Sequence, residues 1–185
     1  MRKNFGVKPY LYPQPVLIIG TYDENGNPDA MNAAWGGISE ENQISICLSA
    51  GHKTVKNLLK SGAFTVSVAD AGHVKECDWF GIASGNTVQD KIARAGFHVI
   101  KSEFVNAPLF DELPMALDCK VIDYNQDTCI LRGEIVNVNA DESVLTGGKI
   151  DPAKLRPITS DPVNKAYIVL GEKVGNAFHD GAVLK

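Results

Sequence analysis

Ser49, His52, Lys53 and Thr54 stand close together after an apolar run, Ile44-Ser45-Ile46-Cys47-Leu48. Between them Ser49-Ala50-Gly51 has turn character. Val55, Leu58 and Leu59 follow at helical spacing, and Gly62 is placed to stop the helix. Thr54 is placed to cap its start, its hydroxyl accepting an early backbone N–H. A helix start with free N–H groups, two hydroxyls and a lysine suits an anion, above all a phosphate. An ordinary strand–turn–helix with a solvated lysine accounts for the same residues, so the rest of the chain must decide.

Other chemistries lack their residues. The histidines His52, His73, His98 and His179 form no i, i+4 pair and no H-E-x-x-H, so zinc catalysis has no ligand pattern. Cys47, Cys77, Cys119 and Cys129 form no C-x-x-C. Most lie in apolar runs and read as small, reduced core residues. Cys119 and Cys129 flank a hairpin turn, which leaves a disulfide between them as a minor option. No G-x-G-x-x-G follows a strand, and no G-x-S-x-G is present. Such a pattern suits a cofactor that carries its own chemistry while the protein binds and tunes it.

The elements that must position the phosphate turn are mostly strands. Val16 to Tyr22 reads as a strand, and Asn25-Gly26 marks a hairpin turn after it. Asp29 to Ile38 reads as one extended stretch rich in small residues. Small side chains admit either a flat ligand or a tightly packed neighbouring strand. Gln43 to Leu48 and Phe64 to Val68 are further strands. Ala71 to Gly85 reads as helix broken at its glycines. Thr87 to Asp90 has the form of a capping box for a short helix carrying Lys91 and Arg94. His98 to Val105 reads as a strand, Asn106 to Pro114 as a loop, and Met115 to Tyr124 and Thr128 to Val138 as a strand pair. Asn139 to Val163 reads as loop with a helical turn, before a last strand at Ala166 to Leu170. Seven or eight strands with short helices indicate a mainly β, α+β barrel.

The 185 residues, 44% of them hydrophobic, suit one domain over 1–185. A net charge of −4 argues against a general nucleic-acid surface. Val16-Leu17-Ile18-Ile19 is only strand-length, so no membrane span is expected. The basic N-terminus has no apolar segment behind it, which points to a cytoplasmic protein.

From Pro15 onward the chain resembles the flavin reductase-like family, with its FMN-binding, Greek-key-like split β-barrel, on the flavoredoxin side. Carrying the resemblance are Pro15-Val16-Leu17-Ile18-Ile19-Gly20-Thr21, Asn32-Ala33-Ala34-Trp35, and Ser49-x-x-His52-Lys53-Thr54-x-x-Asn57-Leu58. Gly62 to Val68, Asp78-Trp79-Phe80-Gly81 with Ser84-Gly85 and Asp90-Lys91, Leu117 to Val121, and Gly133 to Val136 add to it, in order. Ala34 departs from the Ser or Thr of many members, and His52-Lys53 replaces an Arg-bearing turn.

The resemblance implies a homodimer with FMN near the subunit interface. It places the flavin ring along Asn32, Ala33, Ala34 and Trp35, and the phosphate at Ser49, Ala50, His52, Lys53 and Thr54. It brings Asp78, Phe80, Gly81 and Lys91 near the ring, from either subunit. It implies an oxidoreductase fed by NAD(P)H or a redox-partner protein, passing electrons to free flavin, ferric iron or another acceptor. The alternatives are an electron carrier, or a flavin-binding module with no reductase activity of its own.

Overall fold

The computed structural model describes residues 1–185. In chain order the strands are β1 (Gln14–Pro15), β2 (Leu17–Tyr22), β3 (Pro28–Ala33), β4 (Gly36–Glu40), β5 (Gln43–Cys47), β6 (Ala63–Val68), β7 (Val99–Lys101), β8 (Pro108–Phe110), β9 (Met115–Asn125), β10 (Ile130–Ala140), β11 (Leu145–Thr146), β12 (Lys149–Ile150), β13 (Ile158–Asp161) and β14 (Ala166–Val169). The α-helices are α1 (Lys53–Ser61), α2 (Val74–Ile82), α3 (Lys91–Arg94) and α4 (Pro152–Leu155).

Seven strands form one antiparallel sheet in the order β3-β2-β6-β9-β10-β5-β4. Its outer strands, β3 and β4, are consecutive in the chain and joined by Ala34 and Trp35 alone. Laid flat, the outer strands would stand about 29 Å apart. Three Cα steps reach at most about 11 Å. The sheet must therefore curl until its edges meet, and that makes the barrel. The expected stretch from Asp29 to Ile38 is thus two strands, bent where it crosses the seam.

Curling explains why β2 is buried along nearly its whole length. Leu17 and Ile19 join an inner cluster with Ile46, Phe64, Val66, Leu117 and Leu131. Val16 and Ile18 join an outer one with Ala30, Phe80, Ile92, Phe97 and Phe110. Both faces of β2 are covered, so alternation with polar residues is lost. Phe64 is fully buried, and Phe64→Ala is expected to cost about 3–5 kcal/mol.

Helix α1 sends Val55 and Leu58 into the inner cluster, while Leu59 stays exposed. Gly62 ends the helix at φ +68°, its N–H bonded to the Leu58 carbonyl, as its place in the sequence predicts. Outside the barrel, β1, β13 and β14 form a small sheet, and β7 pairs with β8.

Some expectations change. Thr87 caps no helix: its hydroxyl donates to the Ser84 carbonyl, and α3 begins after Asp90, which makes no side-chain cap. The segment read as a loop after Asn106 contains β8, while the strand read from His98 is only β7. All four cysteines are free. Cys119 is opposite Ile135, six residues up β10 from Cys129, about 20 Å along the strand, too far for a bridge.

Candidate functional site

The start of α1 faces a cleft of about 260 Å³. β3 contributes Met31 and Asn32 to its wall, α1 contributes Lys53 and Thr54, and His52 stands at the α1 cap position. The end of α2 adds Phe80, Gly81 and Ile82, and α3 adds Lys91. Ala83, Ser84 and Gly85 close it between the helices. Asn32, His52, Lys53, Thr54, Phe80, Gly81 and Lys91, expected to act together, do share this cleft.

Local bonds explain how it is held. Asn32 donates through Nδ2 to the Cys77 carbonyl at 2.9 Å, tying β3 to α2. Asn86 donates to the Gly51 carbonyl at 3.0 Å and accepts from Lys56 Nζ at 3.3 Å, tying the closing loop to α1. The Trp79 indole donates to the Lys91 carbonyl at 3.0 Å and fixes the start of α3.

Thr54 does not cap α1. The cap position is His52, and no side chain bonds the first-turn N–H groups. Thr54 is buried and its hydroxyl donates to Asp29 Oδ2 at 2.6 Å. A second-position helical residue points back along the helix toward its packing face, and here that face holds a carboxylate. The helix N-terminus is therefore left with free N–H groups beside Lys53, which is the better arrangement for an anion.

The cleft has two cations, each beside a carboxylate. Lys53 Nζ lies 3.4 Å from Asp23 Oδ2. Lys91 Nζ, almost fully buried, lies 3.1 Å from Asp29 Oδ1 and donates to the Ala83 carbonyl at 3.4 Å. Asp29 was not foreseen. It sits in the small-residue stretch, and its partners lie 25 and 62 positions away, so no local spacing announces it.

The remaining expected residues lie elsewhere. Ala33 is buried and turns inward to the barrel core. Ala34 and Trp35 line a separate groove of about 390 Å³ with Pro9, Leu11 and Pro13 of the N-terminal segment. Trp35 is 57% exposed, so it is not a core residue. Ser49 and Ala50 are exposed outside the cleft, and the Ser49 carbonyl accepts from His52 N–H at 3.2 Å. Asp78 lines another groove with Trp79 and Arg94. Asp78 accepts a 2.7 Å bond from the Tyr167 hydroxyl. Burial, then the Asp78 carboxylate, pushes the Tyr167 phenol up to about 12. Tyr167 thus stays protonated and keeps donating at neutral pH. Cys77, behind Asn32, is also pushed up to about 12, first by burial, and is no nucleophile. No group of three or more His, Cys, Asp or Glu is placed to hold a metal ion, and no helix is long and apolar enough to cross a membrane.

Residues 10–153 match the family described as flavin reductase like domain. A flavoredoxin of Desulfovibrio vulgaris (Miyazaki F) is 36% identical, with a TM-score of 0.94 over 98% of this chain and 100% of that one. An FMN-binding domain of a flavin reductase-like enzyme from Shewanella baltica OS155 is 20% identical, with a TM-score of 0.79 over 88% of this chain and 89% of that one. An uncharacterised protein of Aeropyrum pernix is 25% identical over 115 residues, 61% of this chain and 43% of that protein, so the match spans less than half of its length. The chain belongs to the flavin reductase-like family and has its split-barrel fold, with a flavoredoxin among its structural neighbours.

Proposed function

We propose that the chain is an FMN-binding oxidoreductase that takes reducing equivalents from NAD(P)H and passes them to an acceptor. The observation that carries this reading is the cleft, where an uncapped helix N-terminus and Lys53 meet a wall of strand backbone and small residues. That donor set fits a flavin phosphate: backbone N–H groups and one movable ammonium, with His52 beside them. Gly81 lets the end of α2 pack closely on Asn32, a Cβ there falling 3.3 Å from the Asn32 Cβ. Bound FMN would supply the hydride and electron chemistry, for which no side chain here is equipped.

The chain's own residues bind and orient. Lys53 and the first N–H groups of α1 would hold and neutralise the phosphate. The backbone from Asn32 to Ala34 would hold the ring edge, and Phe80, part of the outer core, backs the cleft. Ser49 and Ala50 shape the turn that sets the α1 axis. Trp35, in its separate groove, would wall the ring from outside the cleft, and Asp78, held by the Tyr167 hydroxyl, lines a further groove. The cleft alone is smaller than a whole flavin nucleotide; Ile82 in its wall is exposed, as are Trp35 at the seam and Ile38 on β4. A second copy of the chain in a homodimer would cover them and complete the site.

The test has two stages. Titration with FMN and riboflavin is expected to favour FMN, and equal affinity removes the phosphate from the reading. Anaerobic mixing with NADH or NADPH is then expected to bleach the flavin band within seconds. The 36% identity to a flavoredoxin favours one second reading, an electron carrier loaded by a partner protein. Reduction by dithionite but by neither nucleotide selects that reading.

A further inference from the structure

Asp29 sits beneath the cleft at 2% exposure and contacts three elements. Oδ1 is 3.1 Å from Lys91 Nζ, and Oδ2 accepts from the Thr54 hydroxyl at 2.6 Å. The Gly85 backbone passes so close above that a Cβ there would fall 2.3 Å from Asp29 Oδ1 and 3.2 Å from Lys53 Cδ. Only glycine lets that loop close over the carboxylate. Lys91, Thr54 and Gly85 all line the cleft, while Asp29 itself does not. It acts through them.

A buried ammonium faces a ligand very differently with and without its counter-ion. Alone it projects a full charge through a medium that screens poorly. Paired at contact distance with a buried carboxylate, it projects a dipole whose field falls off quickly. It keeps one N–H to offer, since Asp29 and Ala83 occupy two of the three.

We propose that Asp29 is a positioning residue of the flavin site, fixing Lys91 Nζ and Thr54 Oγ1 in the cleft wall and cancelling the lysine's charge. This rests on the flavin reading above. Lys91 then serves as an oriented donor, and the cleft adds no net charge from this pair to the flavin it holds. Positive charge near a flavin stabilises its reduced form, so loss of Asp29 raises the flavin's reduction potential.

The experiment compares FMN-loaded wild type, Asp29→Asn and the double variant Asp29→Asn/Lys91→Met. The readouts are the midpoint potential against reference dyes and the FMN dissociation constant. Asp29→Asn keeps the shape and removes the charge, so its midpoint is expected to move positive, with FMN bound about tenfold more weakly as Thr54 and Lys91 lose their anchor. The double variant, losing both charges together, is expected to return to the wild-type midpoint. An unchanged midpoint in Asp29→Asn overturns the inference. So does a double variant well below the wild-type midpoint, which would mean that Lys91 acts as a free cation. Where Asp29→Asn fails to fold, the double variant alone decides. Wild-type protein that takes up no FMN overturns the flavin reading and this inference with it. An unchanged midpoint in FMN-loaded Asp29→Asn overturns the inference alone.

Discussion

The two lysine–carboxylate pairs of the cleft are made of the same groups and differ in their access to water. Lys53 and Asp23 lie 3.4 Å apart at the rim, with side chains 19% and 17% exposed. Lys91 and Asp29 lie 3.1 Å apart, each 3% exposed. At the rim, water screens the attraction and the pair is worth under about 1 kcal/mol. Asp23 is mainly a turn residue: Oδ1 accepts the backbone N–H groups of Asn25 and Asn27, each at 2.9 Å. Lys53 can leave it for a phosphate at small cost. The buried pair has no such freedom, because parting it strands a charge in apolar surroundings. One lysine is movable and the other fixed, and solvent access decides which.

The widest gap between the pairs is expected in stability. Lys91→Met leaves the Asp29 carboxylate buried without a cation and should cost about 3–5 kcal/mol in urea unfolding of the flavin-free protein. A loss below about 1 kcal/mol would mean that water reaches the pair after all. Lys53→Ala should do the reverse, leaving stability within about 1 kcal/mol. Its FMN binding should weaken by about 1.5–3 kcal/mol, read by fluorescence titration. A stability loss as large as that of Lys91→Met would erase the contrast.

Asp23→Asn sharpens it further. An asparagine oxygen at Oδ1 still serves both turn N–H groups, while Oδ2 and its hold on Lys53 are lost. FMN affinity is expected to rise about two- to fivefold, the size of a weak rim pair. A fall in affinity would show that Asp23 steers Lys53 toward the ligand rather than competing for it.

The smallest effect is in acid. Burial works against the Asp23 carboxylate, but bonds from Asn27 and Asn25 and the Lys53 ammonium outweigh it and hold its pKa below the ordinary value. Its contribution is therefore complete above the unfolded pKa of about 3.9 and is lost as pH falls through the lower folded value. Stability should decline less steeply over that window in Asp23→Asn than in wild type. Identical slopes would remove Asp23 from the acid transition.

What the sequence announced was local. The strand read from Val16 to Tyr22, which forms over Leu17–Tyr22, the Asn25-Gly26 turn and the Gly62 stop are each fixed by neighbours in the chain. Residues fixed by distant partners were hidden. Thr54 has the type and place of a cap, but Asp29, 25 residues earlier, takes its hydroxyl. β13 lies among prolines and pairs on one side with β14, the next strand, and on the other with Gln14 and Pro15, across nearly the whole chain. Asn32-Ala33-Ala34-Trp35 reads as one ligand strand. The seam divides it, with Asn32 in the cleft, Ala33 in the core, and Ala34 and Trp35 in a groove beyond.

That seam also governs how the barrel breathes. β4 occupies an edge of the sheet and pairs only with β5 along its length. When those hydrogen bonds open, β4 stays tethered to β3 by Ala34 and Trp35, and to β5 by the short turn at Glu41 and Asn42. A strand held at both ends remains at a very high effective concentration for its old partner, and the entropy of closing so short a loop is small. Opening at the seam is thus brief and self-correcting. It is expected in amide exchange as a fast local event in Gly36 to Glu40, while the amides of Ile18, Ile19 and Val66, deep in the sheet, should exchange only when the whole molecule unfolds.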